Sequence, residues 1–249
     1  MEATGTIMTT IQKLTHSVLA LICPPLCPLC SGLTANGGIC AACWSGLNLA
    51  TPMACRQCAL PFDHDAGSTI CGQCMAESPG FDQAVSGLIY NDTAKSLILA
   101  LKYGDRLDIA PVLAGLMLSR SRNLIREADV IIPLPLHPKR FFRRRFNQSA
   151  EIARHLIHVA GEDETKLGLD LLIRRRNTSS QGRMTRVQRQ RNLAGAFAIN
   201  RMSGVSLKGK SVLLVDDVLT TGASLSAAAS CLKKAGAENI AVCVVARVK

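Results

Sequence analysis

Four C-x-x-C pairs within fewer than fifty residues constrain the fold of this 249-residue chain more than any other feature. The pairs are Cys27/Cys30, Cys40/Cys43, Cys55/Cys58 and Cys71/Cys74. A C-x-x-C turn places two thiolates on one side of a tight bend, and two such turns complete a tetrahedral zinc site. The repeat therefore predicts two structural zinc sites, because four thiolates leave no coordination position open for water.

The spacing of the pairs leaves the ligand assignment open. A short break at residues 48–52 separates the first two pairs from the last two and favours two consecutive ribbons. One zinc would then bind Cys27, Cys30, Cys40 and Cys43, and the other Cys55, Cys58, Cys71 and Cys74. An interleaved pairing of alternate turns is also compatible with the spacing. A disulfide framework and an iron–sulfur cluster are the less favoured alternatives.

Hydrophobic residues make up 48% of the chain, but no uninterrupted apolar run is long enough to predict a membrane span. Residues 7–22 resemble a signal peptide only weakly, because the apolar core is short and no small-residue cleavage site follows it. We predict an amphipathic helix within residues 1–22 instead. A cytoplasmic location is then expected, where cysteines are metal ligands more often than disulfides.

After residue 79, segments with strand character alternate with amphipathic helical segments. The predicted strands are 81–90, 129–135, 169–173, 196–199, 211–215 and 240–246. The predicted helices begin at Asp92, as an N-cap, and cover 107–126, 147–160 and 222–235. This alternation is typical of an α/β domain in which helices cover both faces of a parallel sheet. We therefore divide the chain into an N-terminal helix (1–22), a double zinc ribbon (23–78) and an α/β domain (79–249).

Residues 212–224 carry the strongest binding signal of the α/β domain. An apolar strand is followed by Asp216 and Asp217, and a Thr-Thr-Gly-Ala-Ser segment then opens a helix. Ligands of parallel sheets bind beyond the carboxyl ends of the strands, and the N–H groups of a helix N-terminus attract phosphate. The two acids could accept hydrogen bonds from the hydroxyls of a ribose, so one loop could hold both ends of a ribose 5-phosphate. The predicted ligand contacts are Asp216, Asp217, Thr220, Thr221, Gly222, Ala223 and Ser224.

Two simpler interpretations of this loop are less favoured. Thr and Ser capping of a helix after an ordinary strand explains the hydroxyls but leaves the two adjacent acids unexplained. A Walker A loop is excluded because the Gly-x-x-x-x-Gly-Lys spacing is missing.

Further motifs extend along nearly the whole chain. They are the double zinc ribbon, Leu101-Lys-Tyr103, Ile132-Pro-Leu-Pro-Leu136 followed by Arg140, Phe146-Asn-Gln148, Gln181, and Arg191-Asn192 before Ala196-Phe197. With these motifs the chain resembles the ComF/GntX family of bacterial proteins. Its 212–224 loop resembles the binding motif for phosphoribosyl pyrophosphate (PRPP) of type I phosphoribosyltransferases.

The resemblance implies a type I phosphoribosyltransferase-like parallel sheet flanked by helices and preceded by a small double zinc ribbon. Asp216 and Asp217 would hold the ribose hydroxyls, and residues 220–224 the 5′-phosphate. The pyrophosphate loop would consist of Leu136, His137, Pro138 and Lys139. Mg²⁺ would bridge the pyrophosphate and ribose oxygens, because a highly charged leaving group needs neutralising. No catalytic residue is identified.

Positive charge is concentrated in one stretch of the chain. The net charge is +11, and residues 139–201 contain 15 Lys and Arg against 5 Asp and Glu. A solvated surface is one explanation, but PRPP alone does not need so many cations, and the excess favours a nucleic-acid backbone. Aromatic residues make up only 4% of the chain, so the predicted binding is electrostatic and not sequence-selective. The predicted nucleic-acid contacts are Arg140, Arg143, Arg144, Arg145, Arg174, Arg175 and Arg176.

Two functions follow from these features. The first is a ComF-type protein that binds PRPP and single-stranded DNA in DNA uptake and natural transformation, with a helicase or another DNA-uptake protein as partner. The second is a phosphoribosyltransferase of nucleotide salvage or biosynthesis, for which no base-binding element is recognisable. One residue departs from the family pattern, because Arg145 stands where the family usually has glycine. If that position has a positive φ, Arg145 is strained.

Overall fold

The computed structural model describes residues 24–34, 38–64, 67–104, 106–176, 193 and 195–249. The chain divides into two compact units, Met1–Gly46 and Leu47–Lys249. The first unit contains the first two cysteine pairs, and the second contains the other two pairs together with the sheet. The predicted N-terminal helix and the motif residues Gln181, Arg191 and Asn192 lie outside the described residues.

In the first unit, a tight turn carries Cys27 and Cys30. The Cys27 N–H donates to the Gly32 carbonyl oxygen at 2.8 Å, and Ser31 adopts a φ of 58° to close the turn. In the second pair, Cys40 is the N-cap of helix α1 (Ala41–Trp44) and Cys43 lies within that helix. Both cysteine pairs thus lie on local turns that the backbone itself stabilises.

The second unit is built on a four-stranded parallel sheet. Its strands are β1 (Gln83–Ile89), β2 (Val130–Pro133), β5 (Ser211–Leu219) and β6 (Asn239–Arg247), in the order β1-β6-β5-β2. A separate antiparallel pair is formed by β3 (Leu172–Arg174) and β4 (Phe197–Ile199). The predicted parallel sheet is confirmed.

The described helices of this unit are α2 (Gly72–Ala76), α3 (Asp92–Tyr103), α4 (Ile109–Glu127), α5 (Pro138–Arg144), α6 (Gln148–Ala160) and α7 (Ala223–Lys234), with 3₁₀ turns at Glu164–Lys166 and Arg201–Ser203. Helix α5 was not predicted. The prediction that Asp92 caps α3 is wrong, because the Asn91 side chain accepts from the Ala94 N–H at 2.9 Å. Asp92 is instead the first helical residue.

Helices cover both faces of the sheet, as the sequence predicts. Leu214 and Val242 belong to one core cluster with Ala228 and Leu232 of α7. Alternate residues of a strand point to opposite faces, and the neighbouring Cys243 meets Ser121 of α4 on the other face. Burying one such leucine contributes about 1.5–3 kcal/mol.

Gly87 in β1 allows α4 to approach the sheet closely. A Cβ atom at this position would lie 2.8 Å from the Leu116 carbonyl oxygen, which is closer than real Cβ contacts. Any side chain at residue 87 would therefore push α4 away from the sheet.

The predicted end of the 211–215 strand is wrong. Strand β5 continues to Leu219, because β6 pairs with it along its length, from Ser211↔Asn239 to Leu219↔Arg247. Asp216 and Asp217 therefore lie within a paired strand, where the ladder limits the movement of their backbone.

Arg145 adopts the left-handed conformation for which the family pattern has glycine. Its φ is 66° and its ψ is −18°, and it forms the C-cap of α5. Side chains in this region strain the backbone by about 1–2 kcal/mol, whereas glycine does not.

We therefore expect Arg145→Gly to raise the free energy of unfolding by about 1 kcal/mol. Arg143→Gly removes the same charge from the interior of the same helix. It should lower the free energy of unfolding by about 1 kcal/mol, because glycine is unfavourable there. Urea denaturation of the two variants measures both changes. Equal destabilisation by both substitutions would contradict the assignment of strain to Arg145.

No helix in the described part of the chain is both long and apolar enough to cross a membrane.

Candidate functional site

Two adjacent carboxylates lie within β5, directly after Val215, which pairs with Pro133 at the carboxyl end of β2. Asp217 is buried, and its Oδ2 lies 2.9 Å from the Lys102 ammonium. The same oxygen accepts a hydrogen bond from the Gln148 side-chain amide at 2.9 Å. Helices α3 and α6 thus hold one carboxylate in a fixed position.

Asp216 has polar partners but no directly bonded cation among the described residues. Its Oδ1 accepts from the Ser149 hydroxyl and from the Asp217 N–H, each at 2.9 Å. Burial and the neighbouring Asp217 charge raise its pKa to about 7, although these hydrogen bonds and Lys102 act in the opposite direction. The site therefore holds a carboxylate pair that a cation or hydroxyl donors would stabilise.

A polar network connects this pair to α5. Arg144 donates to the Gln148 side-chain oxygen at 3.1 Å and to the Tyr103 hydroxyl at 3.0 Å. The hydrogen bond from Arg144 lowers the pKa of Tyr103. Because Gln148 in turn donates to Asp217, the Arg144 side chain helps to orient the acid pair.

We call residues 216–224 the phosphate loop. Thr220 and Thr221 are exposed, and Gly222 adopts a φ of 74° immediately before α7 begins. Ala223 and Ser224 occupy the first turn of that helix, one residue later than the predicted start at Gly222. The loop therefore places exposed hydroxyls and helix N–H groups just beyond the acid pair.

The segment predicted as the pyrophosphate loop follows the neighbouring strand. The Leu134 N–H donates to the Val215 carbonyl oxygen at 2.8 Å, and the Asn147 side chain donates to the Leu134 carbonyl oxygen at 3.1 Å. His137 caps α5, and its Nδ1 accepts from the Lys139 N–H at 3.3 Å. Residues 136–139 thus begin at the same sheet edge as the phosphate loop.

The arginines predicted to contact nucleic acid occupy different environments. Arg143, Arg145, Arg175 and Arg176 are exposed, while Arg140, Arg144 and Arg174 are partly buried. Arg174 lies over the Phe197 ring, with its Cζ 5.3 Å from the centroid. Burial lowers the pKa of Arg174, and the nearby positive charge of Arg140 lowers it further.

Exposed aromatic side chains lie beside these arginines. Tyr103, Phe141 and Phe142 are 61%, 46% and 82% exposed. Arg144 also stacks over Tyr103, with its Cζ 4.9 Å from the ring centroid. We call Tyr103, Phe142, Arg143 and Arg145 the basic–aromatic patch. The low aromatic content of the sequence did not indicate such a surface.

The eight C-x-x-C cysteines form two groups in the sequential order: Cys27, Cys30, Cys40 and Cys43, and Cys55, Cys58, Cys71 and Cys74. Within each group the sulfur atoms all lie within 4.8 Å of one another. Cys30 and Cys40 are 3.6 Å apart, as are Cys58 and Cys71. A tetrahedron with Zn–S bonds of about 2.3 Å has S···S edges of about 3.8 Å, so both groups fit zinc.

Backbone N–H groups support the thiolates. The Cys40 N–H donates to Cys27 Sγ at 3.4 Å, and the Cys71 N–H donates to Cys55 Sγ at 3.3 Å. Burial opposes ionisation of Cys27, but hydrogen bonds from the backbone outweigh it and lower its pKa to about 6. All four cysteines of the second group are buried, whereas Cys30 of the first is exposed. The second group is therefore the more enclosed metal site.

Four residues that contact these sites were not predicted: Lys102, Gln148, Ser149 and Arg247, whose Nε donates to the Cys58 carbonyl oxygen at 2.7 Å. Lys102 and Gln148 lie in motifs that support the family resemblance, so the sequence marked these residues but did not indicate that they contact Asp217. Ser149 and Arg247 had no such signal, because their partners are 67 and 189 residues away in the chain.

Comparison with protein families matches two regions. Residues 147–249 match the phosphoribosyl transferase domain, and residues 18–75 match the double zinc ribbon domain. With the sheet and the cysteine groups, these matches define a phosphoribosyltransferase-type domain joined to a double zinc ribbon.

Curated relatives cover most of the chain. The DNA utilization protein YhgH of Salmonella typhimurium is 32% identical over 89% of this chain and 96% of its own length. Competence protein F of Haemophilus influenzae is 29% identical over 84% and 96%, and competence protein ComFC of Streptococcus pneumoniae is 29% identical over 61% and 62%. The chain belongs to the ComF family.

Proposed function

We propose that this protein binds PRPP with Mg²⁺ at the acid pair and phosphate loop, binds single-stranded DNA beside that site, and acts in DNA uptake. The observation that supports this most strongly is that Asp216 and Asp217 lie on the same segment as Thr220, Thr221 and Gly222, which lead into the N-terminus of α7. This arrangement offers acceptors for ribose hydroxyls and donors for a phosphate within one loop. The relatives named for DNA utilization and competence support the cellular role.

Each end of PRPP has a complementary group in this site. The carboxylates can accept hydrogen bonds from the ribose hydroxyls, and hydrogen bonds to charged groups contribute about 1.5–3 kcal/mol. Thr220, Thr221 and the first N–H groups of α7 would donate to the 5′-phosphate. Mg²⁺ would supply charge neutralisation to the pyrophosphate, with oxygen ligands of the type that Asp216 offers. Residues 136–139 would contact the pyrophosphate at the neighbouring strand end.

Isothermal titration calorimetry with PRPP and Mg²⁺ tests this proposal. We expect saturable binding that is tighter than that of ribose 5-phosphate or pyrophosphate alone, because only PRPP engages both loops. No heat of binding with PRPP would contradict it. Pyrophosphate release with one base from a panel would support the alternative, a salvage phosphoribosyltransferase.

The DNA-binding part of the proposal rests on the basic–aromatic patch. Arg143 and Arg145 are exposed cations for phosphates, and Phe142 and Tyr103 offer ring faces on which bases can stack. Unpaired bases can reach such rings, whereas bases within a duplex cannot. The patch therefore favours single-stranded DNA. As protein partner we propose a helicase or another DNA-uptake protein.

The double variant Arg143→Ala/Arg145→Ala is expected to weaken binding of a labelled single-stranded oligonucleotide and to reduce its salt dependence. Loss of two phosphate contacts should lower the salt slope by about 1.4 on the logarithmic scale. Arg122→Ala/Arg126→Ala removes two exposed charges from α4 and serves as the matched control. Fluorescence anisotropy at several salt concentrations measures the slopes. Identical slopes for both double variants would place the DNA elsewhere.

A further inference from the structure

The buried Arg247 side chain lies between the second cysteine group and the phosphate loop. It ends β6 and is only 6% exposed. Its Nε donates to the Cys58 carbonyl oxygen at 2.7 Å. Its Nη1 donates to the carbonyl oxygens of Thr220 at 2.8 Å and Leu219 at 3.1 Å, and also contacts the Val248 carbonyl. Its Nη2 lies 4.0 Å from Cys58 Sγ.

The positive charge of Arg247 has no carboxylate partner in the described part of the chain. A buried guanidinium stays charged, so it needs a compensating negative charge nearby. Four thiolates around one Zn²⁺ leave a net negative charge of about two on the site. The Cys58 sulfur is therefore the anionic group that the Arg247 guanidinium faces when the second site holds its metal.

The hydrogen bonds of Arg247 also orient the phosphate loop. In a trans peptide the C=O and N–H groups point in opposite directions. Arg247 holds the Thr220 carbonyl and shares the Leu219 carbonyl with the Val248 N–H, so the N–H groups of Thr220 and Thr221 point away from the guanidinium. A carbonyl group turned towards a bound phosphate would repel it, so this orientation favours anion binding.

We propose that Arg247 is a positioning residue that couples metal binding at the second cysteine group to PRPP binding at the phosphate loop. The coupling rests on the proposed function, since PRPP is the ligand of that loop. With the metal bound, Arg247 stays between Cys58 and the loop carbonyls and keeps the loop ready for phosphate. Linkage then requires that PRPP strengthen metal retention by the same factor as metal strengthens PRPP binding.

The first experiment uses the unmodified zinc-loaded protein. Zinc transfer to a colorimetric chelator is measured at equilibrium with excess Mg²⁺, with and without saturating PRPP. We expect PRPP to strengthen the binding of one zinc equivalent by about tenfold and to leave the other unchanged. Chelation of zinc by PRPP itself would increase the zinc lost from the protein, so the direction of the change separates the two effects. Unchanged transfer of both equivalents, with PRPP binding shown by calorimetry, would overturn the coupling.

The second experiment uses Arg247→Gln and Arg247→Lys, with Lys249→Ala as the control. Lys249 forms an exposed ion pair with Asp63 at 3.0 Å, so its removal deletes a nearby cation without touching the loop. In zinc-loaded protein with a native circular dichroism spectrum, we expect Arg247→Gln to weaken PRPP binding about tenfold and to remove the PRPP effect on zinc release. Arg247→Lys should lose most of the coupling, because one ammonium cannot reproduce the fork of contacts.

The outcomes distinguish this proposal from the proposed function. If the unmodified protein does not bind PRPP, the proposed function fails. If it binds PRPP and Arg247→Gln keeps both its affinity within twofold and the PRPP effect on zinc release, only the coupling through Arg247 fails. If Arg247→Gln does not fold, Arg247→Lys takes its place, and a PRPP effect on zinc release equal to that of the unmodified protein would overturn the role of Arg247.

Discussion

Replacing Asp216 by Asn is expected to stabilise the protein at about pH 8 and to weaken its PRPP binding. Burial and the Asp217 charge raise the pKa of Asp216 from 3.8 to about 7. Between these values the folded state keeps a proton that the unfolded state has lost, so stability falls as the pH rises through this window. The difference between 3.8 and about 7 corresponds to at most about 4 kcal/mol at higher pH.

Asn removes this cost and keeps the Oδ1 acceptor that Ser149 and the Asp217 N–H use. We expect the stability gain of Asp216→Asn to be absent below about pH 4, to grow with pH, and to reach about 2–4 kcal/mol above pH 7. PRPP affinity should fall by about 10- to 100-fold, because hydrogen bonds to a charged acceptor are lost. Urea denaturation across this pH range and calorimetry with PRPP measure the two effects.

Asp129→Asn is the matched control, and its expected effect on stability has the opposite sign. The Ser211 N–H and the Lys210 ammonium lower the pKa of Asp129, so its carboxylate stabilises the fold at neutral pH, and this contribution is lost as the pH falls. Asp129→Asn should therefore destabilise the protein at neutral pH and leave PRPP affinity unchanged. A stability of Asp216→Asn that matches the unmodified protein at every pH would refute the burial cost assigned to Asp216.

The second large effect concerns the metal sites. Cys55→Ser is expected to remove one of two zinc equivalents and to lower the free energy of unfolding of the Leu47–Lys249 unit by about 3 kcal/mol or more. All four cysteines of its group are buried, and Leu60, Phe62 and Ile70 pack around them. Loss of the metal removes the Zn–S bonds and leaves four buried thiols. This site belongs to the same compact unit as the sheet, so its loss destabilises that unit.

Cys40→Ser is the matched control, because it also removes one zinc ligand but lies in the Met1–Gly46 unit. The single tryptophan of the chain, Trp44, directly follows Cys43 and reports on the first group. We expect Cys40→Ser to change Trp44 fluorescence and to leave the circular dichroism melting transition in place. Cys55→Ser should leave Trp44 fluorescence unchanged and shift the melting transition to lower temperature. Equal melting transitions in both variants would show that the second site does not stabilise the sheet.

The family membership now has two kinds of support. The sequence motifs point to the ComF family, and the relatives of similar length confirm it. The parallel sheet and the two cysteine groups agree with the matched domains. PRPP binding, DNA binding and a cytoplasmic location stay predictions.

Local patterns were sufficient for much of the fold and for the candidate ligand groups. The C-x-x-C spacing predicted two four-cysteine sites, because each pair needs only a turn of four residues, but the structure decided that the pairs combine in sequential order. The acids, the hydroxyls and Gly222 are close in sequence, so the 212–224 loop could be predicted without distant contacts. For Arg145 the family glycine only raised the question of a positive φ, and the structure answered it, because helix α5 and its end at Arg145 were not predicted.

Contacts between distant segments were decided only by the tertiary structure. Sequence could not show that Lys102 and Gln148 meet Asp217, because the packing of α3 and α6 against β5 brings them together. Nor could it show that Arg144 is engaged with Tyr103 while Arg143 stays exposed, since that depends on which side of α5 faces the protein. The position of Arg247 between Cys58 and Thr220 depends on strand register, which places the end of β6 beside a zinc ribbon 189 residues earlier in the chain.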